Sequence, residues 1–143
     1  MVQRVLRAQV TVDGEVIGAI GPGLLVFLGV RASDDEAIAA GLARKIAQLR
    51  IFADAEGKMN RSLVDVAGEA LVVSQFTLYG DSSKGNRPSY IEAAPPAFAD
   101  PMYQRFMALL SGEIGRPVAS GKFGADMKVE LVNDGPVTLW LER

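Results

Sequence analysis

The sequence predicts an α/β domain with a mixed β-sheet over all 143 residues. Three features predict it: runs with apolar residues at alternate positions near both ends, two segments with apolar residues three or four positions apart, and glycine-containing turns between them. In chain order they indicate two strands, then a strand and a helix twice, then three strands. A chain of this length forms one core, so residues 1–143 are expected to be a single domain.

The N-terminal segment is typical of a β-hairpin. Apolar residues alternate through Ala8, Val10 and Val12, and the pair Asp13-Gly14 is a common hairpin turn before a second short strand. After the turn Gly21-Pro22-Gly23, the apolar run LLVFLGV predicts a strand that is covered on both faces.

A first helix is predicted to begin at a capping box. Ser33 is the expected N-cap and Glu36 the residue that reaches back to it. Apolar residues then continue at helical spacing through Ile38, Leu42, Ile46 and Leu49.

A buried strand, a loop and a second helix are predicted in the middle of the chain. The strand runs from Leu71 to Phe76 in an apolar stretch and is expected to be central in its sheet. The segment 80–89 is predicted to be a loop, and Asp100 followed by Pro101 indicates a helix start. The expected buried face of this helix carries Tyr103, Phe106, Met107 and Leu110.

The last third predicts three strands, near Val118–Phe123, Met127–Asn133 and Val137–Glu142. Glycine-containing turns are expected between them. The last turn contains Asp-Gly, a common hairpin signal.

Composition excludes several classes of protein. With no Cys and no His, the chain has no disulfide, Ser-His-Asp triad, Cys nucleophile or Cys/His zinc site, and we expect no metal or other cofactor. Fifteen basic and 17 acidic residues give a net charge of −2, so any nucleic-acid contact is expected to be local. Neither a signal peptide nor a membrane span is predicted, so a cytoplasmic protein is expected. The high apolar and glycine content indicates a buried subunit interface.

Two stretches depart from ordinary patterning. Ser74, Gln75 and Thr77 interrupt an apolar strand as it enters a polar loop; they are either site residues or a strand end that satisfies local backbone groups. Asn133–Thr138 contains Gly135-Pro136, where Pro removes a ladder donor and a cis peptide costs little. This stretch is either a plain turn or a device that holds a special carbonyl geometry.

Together, SQFTL (Ser74–Leu78) and NDGPVT (Asn133–Thr138) resemble the two signature motifs of the D-aminoacyl-tRNA deacylases. The resemblance extends over essentially the whole chain and includes QRV (3–5), DGEV (13–16), GLLVFLGV (23–30), RIFADAEGKMN (50–60), NRPS (86–89) and GKFGADMKVELVNDGPVT (121–138).

This resemblance implies a ββ(βα)₂βββ domain, layered β/β/α with mixed, largely antiparallel sheets. It also implies a homodimer with sites at the subunit interface. The implied reaction is hydrolysis of the ester of D-aminoacyl-tRNA to free D-amino acid and tRNA, which is chiral proofreading in trans. Removal of glycine from mischarged tRNA(Ala) is also expected, because glycine has no side chain for a chiral gate to reject.

The resemblance assigns the chiral gate to a Gly-cisPro pair, Gly135 and Pro136, which would reject L-aminoacyl esters from within the partner subunit's pocket. Its expected supports are Arg4, Asn133, Val137 and Thr138. The expected catalytic stretch is Ser74, Gln75, Phe76 and Thr77. Adenosine is expected to bind at Phe123, Ala125 and Met127, and tRNA phosphates at Lys84 and Arg87. Further phosphate candidates are Arg44, Lys45, Arg50, Lys58 and Arg61.

The alternatives at these positions remain open. Arg4 is also readable as an ordinary strand-edge charge, and Phe123–Met127 as a core strand face. For catalysis, oxyanion stabilisation by backbone N–H groups near Gln75–Thr77, with help from the RNA 2′-hydroxyl, is favoured over Thr77 as a nucleophile, since no base adjoins it. A nucleic-acid-binding or interaction dimer without hydrolysis is the alternative function, and an amidase is a third.

Overall fold

The computed structural model describes residues 1–143, and its N-terminal part forms the predicted hairpin. Strands β1 (Val2–Val12) and β2 (Glu15–Ile20) pair antiparallel around a turn in which Asp13 and Gly14 have φ of 49° and 79°. Strand β3 (Gly23–Leu28) pairs antiparallel with the start of β1, and five of its six residues are buried, as the apolar run predicts.

Helix α1 (Glu36–Gln48) begins later than the capping box indicates. Its N-cap is Asp35, whose carboxylate accepts from the Ile38 N–H at 2.8 Å, so the prediction of Ser33 as the cap is wrong. With Asp35 as the cap, Glu36 is the first helical residue and cannot close the box. Its carboxylate instead pairs with Arg105. The buried face is Ala39, Ala43, Ile46 and Ala47.

The predicted strand through Phe76 is shorter than expected. After a small hairpin of β4 (Phe52–Ala53) and β5 (Met59–Arg61), strand β6 covers Glu69–Ser74 and a 3₁₀ helix covers Phe76–Tyr79. The change occurs at Gln75, whose N–H donates to Leu28 O at 2.8 Å while its carbonyl accepts from the Leu78 N–H at 3.3 Å. One residue thus ends the ladder and starts the turn.

Helix α2 covers Pro96–Ile114, so the predicted start at Asp100-Pro101 is wrong. Pro96 occupies the first turn, where its missing N–H costs nothing, whereas Pro101 lies inside the helix. The predicted core face is confirmed at Tyr103, Phe106 and Leu110, which are almost fully buried.

The last third contains two strands instead of three. Strand β7 (Ala119–Ser120) is short, and the two final predicted strands are one strand, β8 (Lys128–Leu139), that runs antiparallel to β1. The chain does not reverse at Asp134–Gly135. Between the pairs Val5–Asn133 and Gln3–Thr138, β1 advances two residues while β8 advances five, so three extra residues bulge out of β8.

The main sheet has six strands, and five of them follow the order β2-β1-β3-β6-β7. Along one edge of β1, β3 pairs with its first half and β2 with its second half, while β8 pairs along the opposite edge. Its β3–β6 and β6–β7 pairs are parallel, which places β6 centrally, as predicted. The sheet nearly closes where β2 meets β7: a Cβ on Gly18 would lie 2.4 Å from Ser120 O. A small apolar cluster, formed by residues of β1, β2, β3 and β6, lies inside the curved sheet. A larger cluster lies between the sheet and the two helices. The predicted α/β fold class is confirmed.

No helix has both the length and the apolar character needed to cross a membrane.

Candidate active site

The SQFT stretch lies where β6 turns into the 3₁₀ helix. Ser74 and Gln75 are half-buried, whereas Phe76 and Thr77 are exposed. The Gln75 amide nitrogen donates to the Thr77 hydroxyl. Because the Gln75 N–H already donates to Leu28 O, it is not free for a ligand, which corrects its expected place among the oxyanion donors. Phe76 and Thr77, as the first residues of the helix, have N–H groups with no intrahelical acceptor.

A cavity of about 620 Å³ adjoins this stretch. Ser74, Gln75 and Phe76 line it together with Phe123, Ala125 and Met127, so the structure brings the predicted catalytic and adenosine-binding residues into one site. Thr77 does not line the cavity. Phe123 packs against Tyr103 of the core with ring centroids 6.1 Å apart, which supports its ring from behind.

Part of this cavity was not predicted. One wall is the start of α2, where Ala94, Pro95, Pro96 and Ala99 present small apolar side chains, and Tyr90 stands beside Phe76. The signal available in the sequence was the run AAPP (93–96), three residues after the polar loop 80–89. Its position opposite β6 depends on tertiary packing.

The Gly135-Pro136 peptide bond is cis and lies in the bulge of β8, with both residues exposed. Gly135 has φ of 117°, which favours glycine. The Asn133 side-chain amide closes the base of the bulge by donating to Arg4 O and Val137 O, both at 3.0 Å. Thr138 Oγ1 donates to Asn133 Oδ1 at 3.2 Å and so holds that amide in place.

Arg4 braces the bulge from β1. Its Nε lies 3.1 Å from Asp134 Oδ2, and its Nη1 donates to Ile51 O at 2.6 Å. The Arg4 side chain is 14% exposed and the Asp134 side chain 40% exposed, so water is excluded mainly from the arginine side of the pair.

Within one chain, none of the residues 133–138 of the second signature motif lines the cavity that the first motif adjoins. Gly135 and Pro136 do not line the 620 Å³ cavity. They also do not line a second cavity of about 300 Å³ between Met1, Tyr79 and Trp140, which contains no predicted site residue.

The basic candidates divide into paired and unpaired groups. Lys84 and Arg87 lie exposed in the loop after the 3₁₀ helix and have no carboxylate within 4.0 Å. Arg44 and Lys58 pair with the carboxylates of Glu113 and Glu56. Arg50 and Arg61 donate to neutral oxygens, Asn60 Oδ1 and Asp65 O. Lys45 is exposed and, like Lys84 and Arg87, has no carboxylate within 4.0 Å. No group of three acidic side chains is placed to hold a metal ion.

Comparison with known proteins places this site in context. A family model described as D-Tyr-tRNA(Tyr) deacylase matches residues 1–142. The chain is 57% identical to a D-aminoacyl-tRNA deacylase of Salinibacter ruber over 100% of this chain and 95% of the relative. It is 58% identical to one of Ruegeria pomeroyi, over 99% of this chain and 97% of that one.

Two solved structures share the architecture. One, named c-Myc DNA Unwinding Element Binding Protein, superposes with a TM-score of 0.92 at 44% identity, covering 99% of this chain and 96% of the other. Another, described as a probable eukaryotic D-amino acid tRNA deacylase, has a TM-score of 0.77 at 19% identity, covering 94% and 93%, and supports the fold alone.

Proposed function

Since the chain belongs to the D-Tyr-tRNA(Tyr) deacylase family and is a hydrolase of the D-aminoacyl-tRNA deacylase type, we propose how its residues 1–143, as one domain, perform that reaction. The substrate is tRNA carrying a D-amino acid, and the products are free D-amino acid and tRNA. The observation that carries this assignment of roles is that Ser74–Phe76 and Phe123–Met127 line one cavity.

The terminal adenosine binds against Phe123 and Met127. An aromatic ring and a thioether contact a purine face without reading its edge, which suits an enzyme that acts on many tRNAs. Ala125 between them leaves room for the base. With the base bound there, the ribose and the ester that it carries extend toward Ser74–Phe76 in the same cavity.

Water attacks the ester carbonyl beside the 3₁₀ helix. The negative charge that develops on the carbonyl oxygen is stabilised by the N–H groups of Phe76 and Thr77, which have no intrahelical acceptor. The C–O bond to the ribose then breaks, and a proton of the attacking water passes through the adjacent 2′-hydroxyl to the departing ribose oxygen, so that the second oxygen of the released carboxyl group comes from that water. An ester is activated enough for positioning and charge stabilisation to suffice.

Thr77 is not the nucleophile in this scheme. Its hydroxyl accepts from the Gln75 side-chain amide, and an amide is no base that could remove a proton.

Chiral selection comes from Gly135 and Pro136 of a second copy of the chain. The pair is exposed in the bulge of β8 and lines neither of the two cavities described above, so we assign it to a pocket of the partner copy. Backbone carbonyls held by the Arg4 and Asn133 contacts form a rigid wall at the substrate's α-carbon. The wall excludes an L side chain and ignores what the D side chain is, and glycine passes it.

Parallel assays of D-tyrosyl-tRNA, L-tyrosyl-tRNA and glycyl-tRNA(Ala), with no added metal, test the reaction and the gate together. We expect rapid loss of the D and glycyl esters while the L ester survives. Equal loss of the D and L esters would overturn the chiral gate, and survival of the glycyl ester would overturn the glycine activity alone. Sedimentation at the assay concentration tests the homodimer, and a monomer that still discriminates would contradict the cross-subunit gate.

Nucleic-acid binding without hydrolysis is the second candidate function, because the name of the 44% identical structure describes DNA binding. A nucleic-acid-binding dimer without hydrolysis would retain salt-dependent RNA binding and leave both esters intact. Loss of the D ester in the same assay contradicts it.

A further inference from the structure

An aromatic pair stands at the mouth of the 620 Å³ cavity. The rings of Phe76 and Tyr90 meet edge to face, with centroids 5.1 Å apart and planes at 72°. Both line the cavity, yet Phe76 is 56% exposed and Tyr90 39% exposed, while Ala94 and Ala99 in the same lining are each 7% exposed. The pair therefore marks the boundary between the cavity and solvent.

Tyr90 is held firmly at this mouth. Its ring lies against Gly80, where an added Cβ would be 3.0 Å from the ring edge. Its carbonyl accepts from the Ala93 N–H at 3.0 Å, and the preceding loop is closed by two backbone hydrogen bonds of 2.8 Å between Asp81 and Ser89. An aromatic ring fixed in this way loses little freedom when a ligand stacks on it.

We propose that Tyr90, positioned by Phe76, is the stacking platform for the base that precedes the terminal adenosine of the tRNA. This inference rests on the proposed function, in which the terminal adenosine occupies Phe123–Met127. The strand that leads to that adenosine must cross the mouth of the cavity. An exposed aromatic face there offers stacking to any base.

Charge in the loop that leads to Tyr90 agrees with this path. Lys84 and Arg87 belong to the loop that ends at Tyr90, and neither has a carboxylate partner. A base stacked on Tyr90 would carry its phosphates past this loop. Unpaired cations beside an aromatic platform are the usual combination in single-strand binding.

The test is a double-mutant cycle between Tyr90 and the RNA. Tyr90→Leu keeps an apolar side chain against Gly80 but has no aromatic face, and Tyr90→Phe keeps the face. Each is assayed on D-tyrosyl-tRNA, on the same tRNA with an abasic residue before the terminal adenosine, and on the D-tyrosyl ester of adenosine alone. Ile91→Ala, at a neighbouring side chain that is 85% exposed, is the matched surface control.

For Tyr90→Leu we expect KM for the intact tRNA to rise about 5- to 150-fold with little change in kcat. The abasic tRNA should raise the wild-type KM by a similar factor, and the two changes together should add nothing further. Tyr90→Phe and Ile91→Ala should behave as wild type. The adenosine ester should be hydrolysed equally by all variants.

Additive losses from Tyr90→Leu and the abasic residue would overturn the stack, and so would an unchanged KM. An equal loss on the adenosine ester would overturn it too, because Tyr90 would then contact the terminal nucleoside or support the fold. If the wild type hydrolyses none of the three substrates, the proposed function itself is refuted. This outcome differs from every outcome that refutes only the stacking role of Tyr90.

Discussion

Arg4 and Asp134 join the first strand to the bulge that carries the cis peptide, with Arg4 Nε 3.1 Å from Asp134 Oδ2. The same guanidinium donates to Ile51 O, so it is anchored at one end and contacts the bulge at the other. Gly135 lies directly beside it, since a Cβ there would be 3.0 Å from Arg4 Nη2. The orientation of the Gly-Pro pair is thus coupled to a residue about 130 positions earlier in the chain.

Arg4→Ala should lower kcat/KM for D-tyrosyl-tRNA by about 100-fold, because a positioning error near 1 Å costs this much in a preorganised site. Kinetics on the D and L esters, with circular dichroism as the folding check, measure the effect. Arg7→Ala is the control, since Arg7 is an exposed arginine on the same strand with no carboxylate within 4.0 Å. An unchanged rate for Arg4→Ala would remove its positioning role.

Gly135→Ala should destabilise the protein by about 1–3 kcal/mol and reduce D-ester hydrolysis, because a side chain at φ of 117° is strained and its Cβ would lie 2.9 Å from Val137 Cγ2. Urea denaturation and D-ester kinetics check both effects. Gly112→Ala is the matched control: this helical glycine has open space around it, and the change should stabilise by about 0.5–1 kcal/mol. Full activity in Gly135→Ala would contradict the chiral wall.

Thr77→Ala should reduce kcat by no more than about tenfold, which is the energy of one ordinary hydrogen bond. The variant keeps both backbone N–H groups of the proposed oxyanion site. Single-turnover hydrolysis of D-tyrosyl-tRNA, with tRNA binding measured alongside, distinguishes the mechanisms. A fall to the uncatalysed rate with folding and binding intact would identify Thr77 as the nucleophile.

Lys84→Ala and Arg87→Ala should each weaken tRNA binding and reduce the slope of log Kd against log salt by about 1, because each removes one cation without an internal partner. Arg44→Ala is the control, because Arg44 lies 3.4 Å from Glu113. Fluorescence anisotropy at several salt concentrations gives the slopes. If Arg44→Ala changes the slope as much as the loop variants do, the loop has no special role.

Tyr103→Phe should change the alkaline stability of the protein. Burial raises the pKa of Tyr103 to about 12, above the value near 10 of an unfolded tyrosine. Its contribution to stability is therefore complete below pH about 10 and is lost as the pH rises through about 12.

At neutral pH the same variant should cost only about 1 kcal/mol, since Val72 O loses the Tyr103 hydroxyl at 2.9 Å but keeps the Gly121 N–H at 3.1 Å. Denaturation between pH 7 and 12 should give a shallower alkaline loss for Tyr103→Phe than for the wild type. Parallel curves would show that the Tyr103 phenol does not titrate in this range.

Much of the local structure could be predicted from short patterns. Asp13-Gly14 correctly predicted the hairpin, and the apolar run Leu24–Leu28 correctly predicted a strand covered on both faces. Both signals are local, because a turn and a continuous apolar strand depend on residues that are close in sequence. The signature stretches were likewise visible in sequence. Local patterns failed at element ends: Asp35 replaced Ser33 as the cap, and Pro96 preceded Pro101 in the helix, since several nearby residues could play each part.

By itself, the sequence determined the α/β class, the absence of His and Cys chemistry, and which two stretches resemble the signature motifs of the family. Tertiary structure decided that the last two predicted strands are one strand, because pairing with β1 absorbs Asp134–Val137 as a bulge. It also decided that Ser74 and Phe123 share a cavity while Gly135 lies outside it. These relationships depend on register and packing between residues far apart in the chain, which no local pattern specifies.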